Sequence, residues 1–158
     1  MNIGIIGAGN LGTGLAKRLI GSGHSVMLSF RRDPERLKAT ARSLGAQACT
    51  SAETVDFAEV VCLATPWMAT AEALKQAGKP AKNKILWDCT NASKPDMSGL
   101  VIGTTTSGGE EVAKLATWAT VVKAIPPFTE LLHLPNKLSE CIRSTYPFVV
   151  MNSVRVKS

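Results

Sequence analysis

Between positions 7 and 12 the chain reads Gly7-Ala8-Gly9-Asn10-Leu11-Gly12, a G-x-G-x-x-G run set between two apolar patterns of different period. Ahead of it, Ile3-Gly4-Ile5-Ile6 is a short apolar run ended by glycine, which reads as a buried strand. Behind it, Leu11, Leu15 and Leu19, flanked by Ala16 and Ile20, recur at helical spacing until Gly21-Ser22-Gly23 stops them. A glycine run in this register between strand and helix is suited to one task. Gly7 permits a tight turn, Gly9 lets a pyrophosphate approach the backbone, and Gly12 allows the helix to pack closely on the strand. The amides of Asn10 and Leu11, at the helix N-terminus, would face the phosphates. Without a ligand the same six residues are a glycine-rich turn and nothing more.

The alternation continues along the chain. Val26-Met27-Leu28 reads as a second strand, followed by a helix from Pro34 to about Leu44 with Asp33 as N-cap. Val60-Val61-Cys62-Leu63-Ala64 is apolar on both faces, as a parallel strand covered on two sides must be. Thr65-Pro66 opens a helix carrying Met68, Ala71 and Leu74, and Ile85-Leu86-Trp87 is the next strand. Ser107 to Glu110 fits a capping box that starts a helix running to about Ala116, and Val121-Val122-Lys123-Ala124 is a further strand. Strands alternating with helices predict the α/β class: a doubly wound, mostly parallel sheet of the Rossmann type with helices on both faces. A length of 158 residues with 45% apolar content suits a single domain spanning 1–158. The pattern becomes irregular from about residue 127, with Tyr146 to Met151 as one more strand candidate.

An adenine ribose with free hydroxyls is usually held by an acid about 20 residues beyond the glycine loop. Here that region reads Ser29-Phe30-Arg31-Arg32-Asp33-Pro34. Asp33, followed by Pro-Glu, is a better helix cap than ribose ligand. Arg31 and Arg32 stand where a 2′-phosphate would lie, and guanidinium matches phosphate bidentately, so the expected cofactor is NADP(H). The bland alternative is a solvated arginine pair. The net charge of +6 supports the sharper reading by its distribution. Lys17, Arg18, Arg31, Arg32, Arg36, Lys38 and Arg42 face only Asp33 and Glu35 in that stretch, which therefore carries five of the six net charges. Nucleic acid is not expected, because aromatics are 5% of the chain and none interleaves with the basic residues.

At this point the sequence resembles the coenzyme F-420-dependent NADP oxidoreductases. Ile5 to Gly12, Arg31-Arg32, Ala64-Thr65-Pro66-Trp67 and Val121-Val122-Lys123-Ala124 carry the resemblance, and Asp88-Cys89-Thr90-Asn91 is similar to an Asp-x-Thr-Asn stretch of many relatives. It runs from Met1 to about Pro127, and more loosely to Met151. The resemblance implies hydride transfer between NADP(H) and a deazaflavin (coenzyme F-420) or flavin. Asn10 and Leu11 would bind the pyrophosphate and Arg31-Arg32 the 2′-phosphate. Thr65, Pro66 and Trp67 would line the nicotinamide half, and the segment around Ala124 and Ile125 would lie near the ring. Members continue for roughly another helix and a small segment that helps form the deazaflavin pocket, so by the resemblance this chain is truncated at its C-terminus. A non-catalytic module that senses NADP(H) is therefore the alternative.

Hydride transfer is chemistry the cofactors carry, with the protein supplying orientation, so no Ser–His–Asp set or carboxylate pair is required. No catalytic residue is assigned. Asp88, at the end of a strand, is either an acid in the crevice or a cap for its loop through Thr90 or Asn91. Lys123 either meets an anionic ring or is solvated. His133 reads as a surface residue, and Trp87 and Trp118 as packing aromatics. Pyrroline-carboxylate and hydroxyacid reductases begin with similar loops but need a further helical domain, for which no length remains after Val122.

Cys49, Cys62, Cys89 and Cys141 are 13, 27 and 52 positions apart, which is neither zinc nor redox-motif spacing. Buried free thiols in a reducing cytoplasm and no metal are expected. The first 14 residues hold no basic residue, so a secretory leader is not expected. No apolar run approaches the roughly 18 residues of a membrane span. A homodimer is expected, since Phe148-Val149-Val150 would need covering.

Overall fold

The computed structural model describes residues 1–80, 84–96, 98–102 and 105–124. Six strands and five helices follow one another in these residues. They are β1 (Asn2–Ile6), α1 (Asn10–Gly21), β2 (Ser25–Ser29), α2 (Pro34–Leu44), β3 (Gln47–Ala48), α3 (Ser51–Phe57), β4 (Val60–Leu63), α4 (Trp67–Ala77), β5 (Lys84–Asp88), α5 (Gly108–Leu115) and β6 (Ala119–Lys123). The strands form one sheet in the order β3-β2-β1-β4-β5-β6, and every pairing between them is parallel. The order reverses between β1 and β4. Such a switch point opens a crevice beyond the carboxyl ends of the strands, where doubly wound sheets take their ligands. The fold is therefore the Rossmann-type α/β arrangement.

Strand side chains alternate between two cores. Ile3, Ile5, Val26, Leu28 and Cys62 pack with Leu15, Ala16, Leu37 and Ala41 of α1 and α2. Ile6, Val61, Leu63, Leu86 and Val121 pack on the opposite face with Val55 of α3, Ala73, Leu74 and Ala77 of α4, and Val112 of α5. The period-2 alternation of each strand thus feeds two layers of helices, and at about 25 cal/mol per Å² the apolar burial on both faces supplies the main driving force.

Two elements, β3 and α3, had no expectation in the sequence. The helix starts at a complete capping box, in which Thr50 Oγ1 accepts from Glu53 N while Glu53 accepts from Thr50 N at 2.9 Å. The helix opened by Thr65-Pro66 is present. Thr70, Ala73, Leu74 and Ala77 are buried, Ala71 is exposed, and Met68 is 70% exposed. Of Met68, Ala71 and Leu74 only Leu74 is buried, so apolarity alone does not mark the inner face of this helix. The strand candidate Tyr146 to Met151, the segment Phe148-Val149-Val150, His133 and Cys141 lie outside the described residues.

Candidate functional site

A cleft of about 1030 Å³ runs along the carboxyl edge of the sheet. Its floor is the glycine loop, and the reason is steric. Gly7 has φ +115°, and a Cβ there would stand 2.4 Å from the Ala64 carbonyl oxygen, so β1 can turn against β4 only with glycine. Gly7 N donates to Ser29 O at 3.0 Å and Ala64 N donates to Ile6 O at 2.8 Å, which fastens the loop to both neighbouring strands. A Cβ on Gly12 would lie 1.8 Å from Gly7 O, so the close helix–strand packing read from the sequence is present. Around Gly9, by contrast, a Cβ meets nothing within 4 Å. The loop is packed at its two ends and open at its middle.

Gly9 is the N-cap of α1, with no side-chain cap and no acidic residue in the first turn. Pro66, the N-cap of α4, is alike in both respects. Asp33, Thr50 and Ser107, by contrast, cap α2, α3 and α5 with their side chains. Both uncapped ends border the cleft. Neither first turn carries an acidic residue of its own to offset the partial positive charge of the helix N-terminus, where a phosphate-bearing ligand would lie.

The basic residues surround the same region. Arg31, Arg32, Arg36 and Lys38 line the large cleft, and Lys17 lines an adjoining one of about 440 Å³ that shares Arg31 and Arg36 with it. Five of the seven basic residues of the 17–42 stretch thus border these cavities. The chain reaches them through Phe30, whose left-handed backbone (φ 59°) ends β2. Arg31 donates to the carbonyl of Ala8 and so ties the end of β2 to the glycine loop, while Arg32 is exposed. Asp33 accepts from Glu35 N at 3.0 Å and Arg36 N at 3.1 Å and is thus a helix cap. Arg36 was not singled out in the sequence. It stands in the first turn of α2, just inside the Asp33 cap, and that position after the arginine pair was the signal.

Thr65 and Pro66 border the cleft, and the Thr65 hydroxyl pairs with that of Thr70 at 3.1 Å. Asn10 borders the smaller cavity. Leu11 is half-buried and packs against the core under α1. Trp67 packs against the opposite core and would lie 3.6 Å from a Cβ on Gly108, and it is not among the residues lining the cleft. Ala124 N donates to Asp88 O at 3.1 Å, and Ala124 O accepts from Trp87 Nε1 at 2.8 Å. Ile125 lies outside the described residues.

Of the two readings of Asp88, the loop cap is the one observed. Its Oδ1 accepts from Thr90 N at 2.8 Å and Thr90 Oγ1 at 2.7 Å. Lys123 follows neither of its two readings, since its ammonium is paired with Asp88 Oδ2 at 2.9 Å. Cys62 and Cys89 are buried free thiols, and burial pushes Cys62 up to about 12 and Cys89 higher. Among the described residues there is no cluster of three or more metal-ligating side chains. No described helix is long and apolar enough to cross a membrane.

Comparison with known proteins bears on the same residues. The family described as NADP oxidoreductase, coenzyme F-420-dependent, matches residues 2–92, more than half of the chain. A hypothetical protein of Sinorhizobium meliloti is 27% identical with a TM-score of 0.73, over 85% of this chain and 66% of that one. A candidate F-420-dependent NADP-reductase of an Arthrobacter species is 28% identical with a TM-score of 0.72, over 83% of this chain and 65% of that one. The chain thus spans just under two thirds of the length of both. A 3-hydroxyisobutyrate dehydrogenase of Mycobacterium tuberculosis, at 21% identity and TM-score 0.60 over 82% of this chain and 42% of that one, shares the fold. No curated protein matches the chain in sequence.

Proposed function

The chain belongs to the family of coenzyme F-420-dependent NADP oxidoreductases, and from that premise we propose that it is an oxidoreductase that binds NADP(H) along the carboxyl edge of its sheet and transfers hydride between it and a deazaflavin or flavin. The observation that carries the reading is the open middle of the glycine loop, at the uncapped start of α1 and beside four basic side chains. A cleft of about 1030 Å³ stands at the upper end of the about 300–1,000 Å³ of ordinary ligand sites, which leaves room for a ligand of dinucleotide size.

In this reading the residues of the cleft have distinct tasks. Gly7 and Gly12 hold the turn, and Gly9 leaves room for the pyrophosphate at the amides of Asn10 and Leu11. Arg31 and Arg32, with Arg36, take the 2′-phosphate. Thr65 and Pro66, with the backbone around Ala124 and Ile125, border the nicotinamide half. The packing of Trp67 supports a role in fixing the Thr65-Pro66 turn more than contact with the cofactor. The nicotinamide supplies the hydride when bound, and no protein acid or base is needed for that step. Asp88 and Lys123 satisfy one another and are not assigned to it. The reading includes a reducing cytoplasmic setting, with which the buried thiols agree, and a homodimer.

Two measurements test the proposal. Titration followed by nicotinamide fluorescence should show NADPH bound at least about tenfold more tightly than NADH, the scale of one charge-assisted contact. Mixing with oxidised coenzyme F-420 should then remove the reduced-nicotinamide absorbance band. Tight NADPH binding with no loss of that band against deazaflavin or flavin would refute the enzymatic part and leave the sensing module.

A further inference from the structure

Register places Asp88 of β5 beside Lys123 of β6, and both side chains are drawn into a closed network with Thr90. The Lys123 ammonium donates to Asp88 Oδ2, to the Thr90 carbonyl and, at 3.3 Å, to Thr90 Oγ1. Thr90 donates through both its amide and its hydroxyl to Asp88 Oδ1. Asp88 is fully buried and the Lys123 side chain only 17% exposed. The lysine stem lies over α5, where a Cβ added to Gly109 would be 3.6 Å from its Cβ and 3.8 Å from its Cδ. All three ammonium protons have acceptors, so Lys123 has none left for a substrate. Burying such a pair is expensive, and well-packed apolar residues would hold the sheet edge as well or better. Fold stability is therefore a poor account of these three residues.

Their position gives a better one. Cys89 N donates to Leu63 O at 3.0 Å and Ala124 N to Asp88 O, so the exits of β4, β5 and β6 are laced side by side next to Thr65 and Pro66. The second half of a Rossmann sheet takes the second nucleotide of a dinucleotide. We propose that Lys123 is a positioning residue: its clamp on Asp88 and Thr90 fixes the 88–90 turn and Ala124, which is bonded to Asp88, as one wall against which the nicotinamide half is oriented. The proposal rests on the cofactor reading above.

The test uses two ligands that share the adenosine end and differ at the nicotinamide end, adenosine 2′,5′-bisphosphate and NADPH. Lys123→Met strands a buried carboxylate and risks unfolding, so the double variant Asp88→Asn, Lys123→Met, which removes both charges, and Thr90→Val, which keeps the side-chain shape without the hydroxyl, accompany it. NADPH dissociation constants should rise about tenfold in the double variant and less in Thr90→Val, the scale of one lost contact, while the bisphosphate binds as in the parent within about twofold. The enhanced fluorescence of bound nicotinamide should fall with the loss of orientation. Equal losses for both ligands, or NADPH binding and fluorescence unchanged in the folded variants, would overturn the proposal. A parent protein that binds neither ligand would overturn the cofactor reading itself, and this inference with it.

Discussion

Replacing Gly9 by alanine separates the needs of the fold from those of the ligand at a single atom. Gly9 has φ −85° and ψ −166°, a conformation open to any residue, and its new Cβ would meet nothing within 4 Å. Two small terms oppose each other in stability. Alanine restricts the unfolded chain, a gain of about 0.4–1 kcal/mol, and is a poorer N-cap than glycine by a similar amount. The net change should lie within about 0.5 kcal/mol, as for most unstrained sites. Binding is a different matter. The methyl group occupies the space through which a pyrophosphate reaches the first amides of α1, and each hydrogen bond to a charged group contributes about 1.5–3 kcal/mol. Losing one costs about 1.5–3 kcal/mol, a rise in the NADPH dissociation constant of roughly 10- to 140-fold. Gly12→Ala is the converse control. Its Cβ would lie 1.8 Å from Gly7 O and 3.3 Å from Ile5 Cγ2, so the loop must move, at the top of the roughly 1–3 kcal/mol range for overpacking or beyond it. Urea denaturation without ligand and calorimetric titration with NADPH read the two quantities separately. A stable Gly9→Ala protein that binds NADPH like its parent would refute the placement of the phosphates, and one that unfolds like Gly12→Ala would refute the claim that the loop is open there.

Arg32→Ala should weaken NADPH by about 1.5–3 kcal/mol and leave NADH nearly unchanged, because Arg32 is exposed and serves no described backbone contact. Arg31→Ala should weaken both cofactors, since Arg31 also holds the Ala8 carbonyl; parallel titrations decide, and equal losses with Arg32→Ala would remove its 2′-phosphate role. Glu53 and Glu110 are held below their ordinary value of 4.5, first by the backbone amides of Thr50 and Ser107 and then by the hydroxyls of those residues. A lowered folded value means that their stabilisation is present above 4.5 and is lost as pH falls through the folded value, so urea midpoints should drop between about pH 5 and pH 3, and less steeply in Glu53→Gln, Glu110→Gln. Burial that raises Cys62 and Cys89 leaves almost no thiolate near neutrality. In a Cys49→Ser, Cys141→Ser variant, a thiolate-specific reagent should react only on unfolding; rapid reaction of the folded protein would contradict that burial.

What could be read from the sequence divides by range. Elements marked by local chemistry were legible: the glycine loop, the Asp33-Pro34 start of α2 and the Ser107–Glu110 box of α5 depend on residues within four positions of each other. The Thr50–Glu53 box belonged to the same class and went unread, because α3 has seven residues, β3 has two, and no apolar stripe marks either. The inner face of α4 was not legible, because Thr70 and Ala73 are buried while the apolar Met68 is exposed. The cleft was legible only in part. Arg31 and Arg32 stood out through their distance from the loop, but the Asp88–Lys123 pair depends on β5 and β6 meeting in one register, 35 residues apart. Nothing local in either segment encodes that meeting.

The two helices that begin without caps have a consequence for the lifetime of the chain. A helix start that lacks a capping side chain leaves stability ungained, on the order of 1 kcal/mol, and here both such starts open on one cleft. Any anion seated there supplies from outside what Asp33, Thr50 and Ser107 supply from within. By mass action, a ligand at a hundred times its dissociation constant stabilises the folded state by about 2.7 kcal/mol, which lowers the unfolded fraction roughly a hundredfold. Degradation that acts on the unfolded form would slow by the same factor, so the abundance of the protein would follow the supply of its ligand.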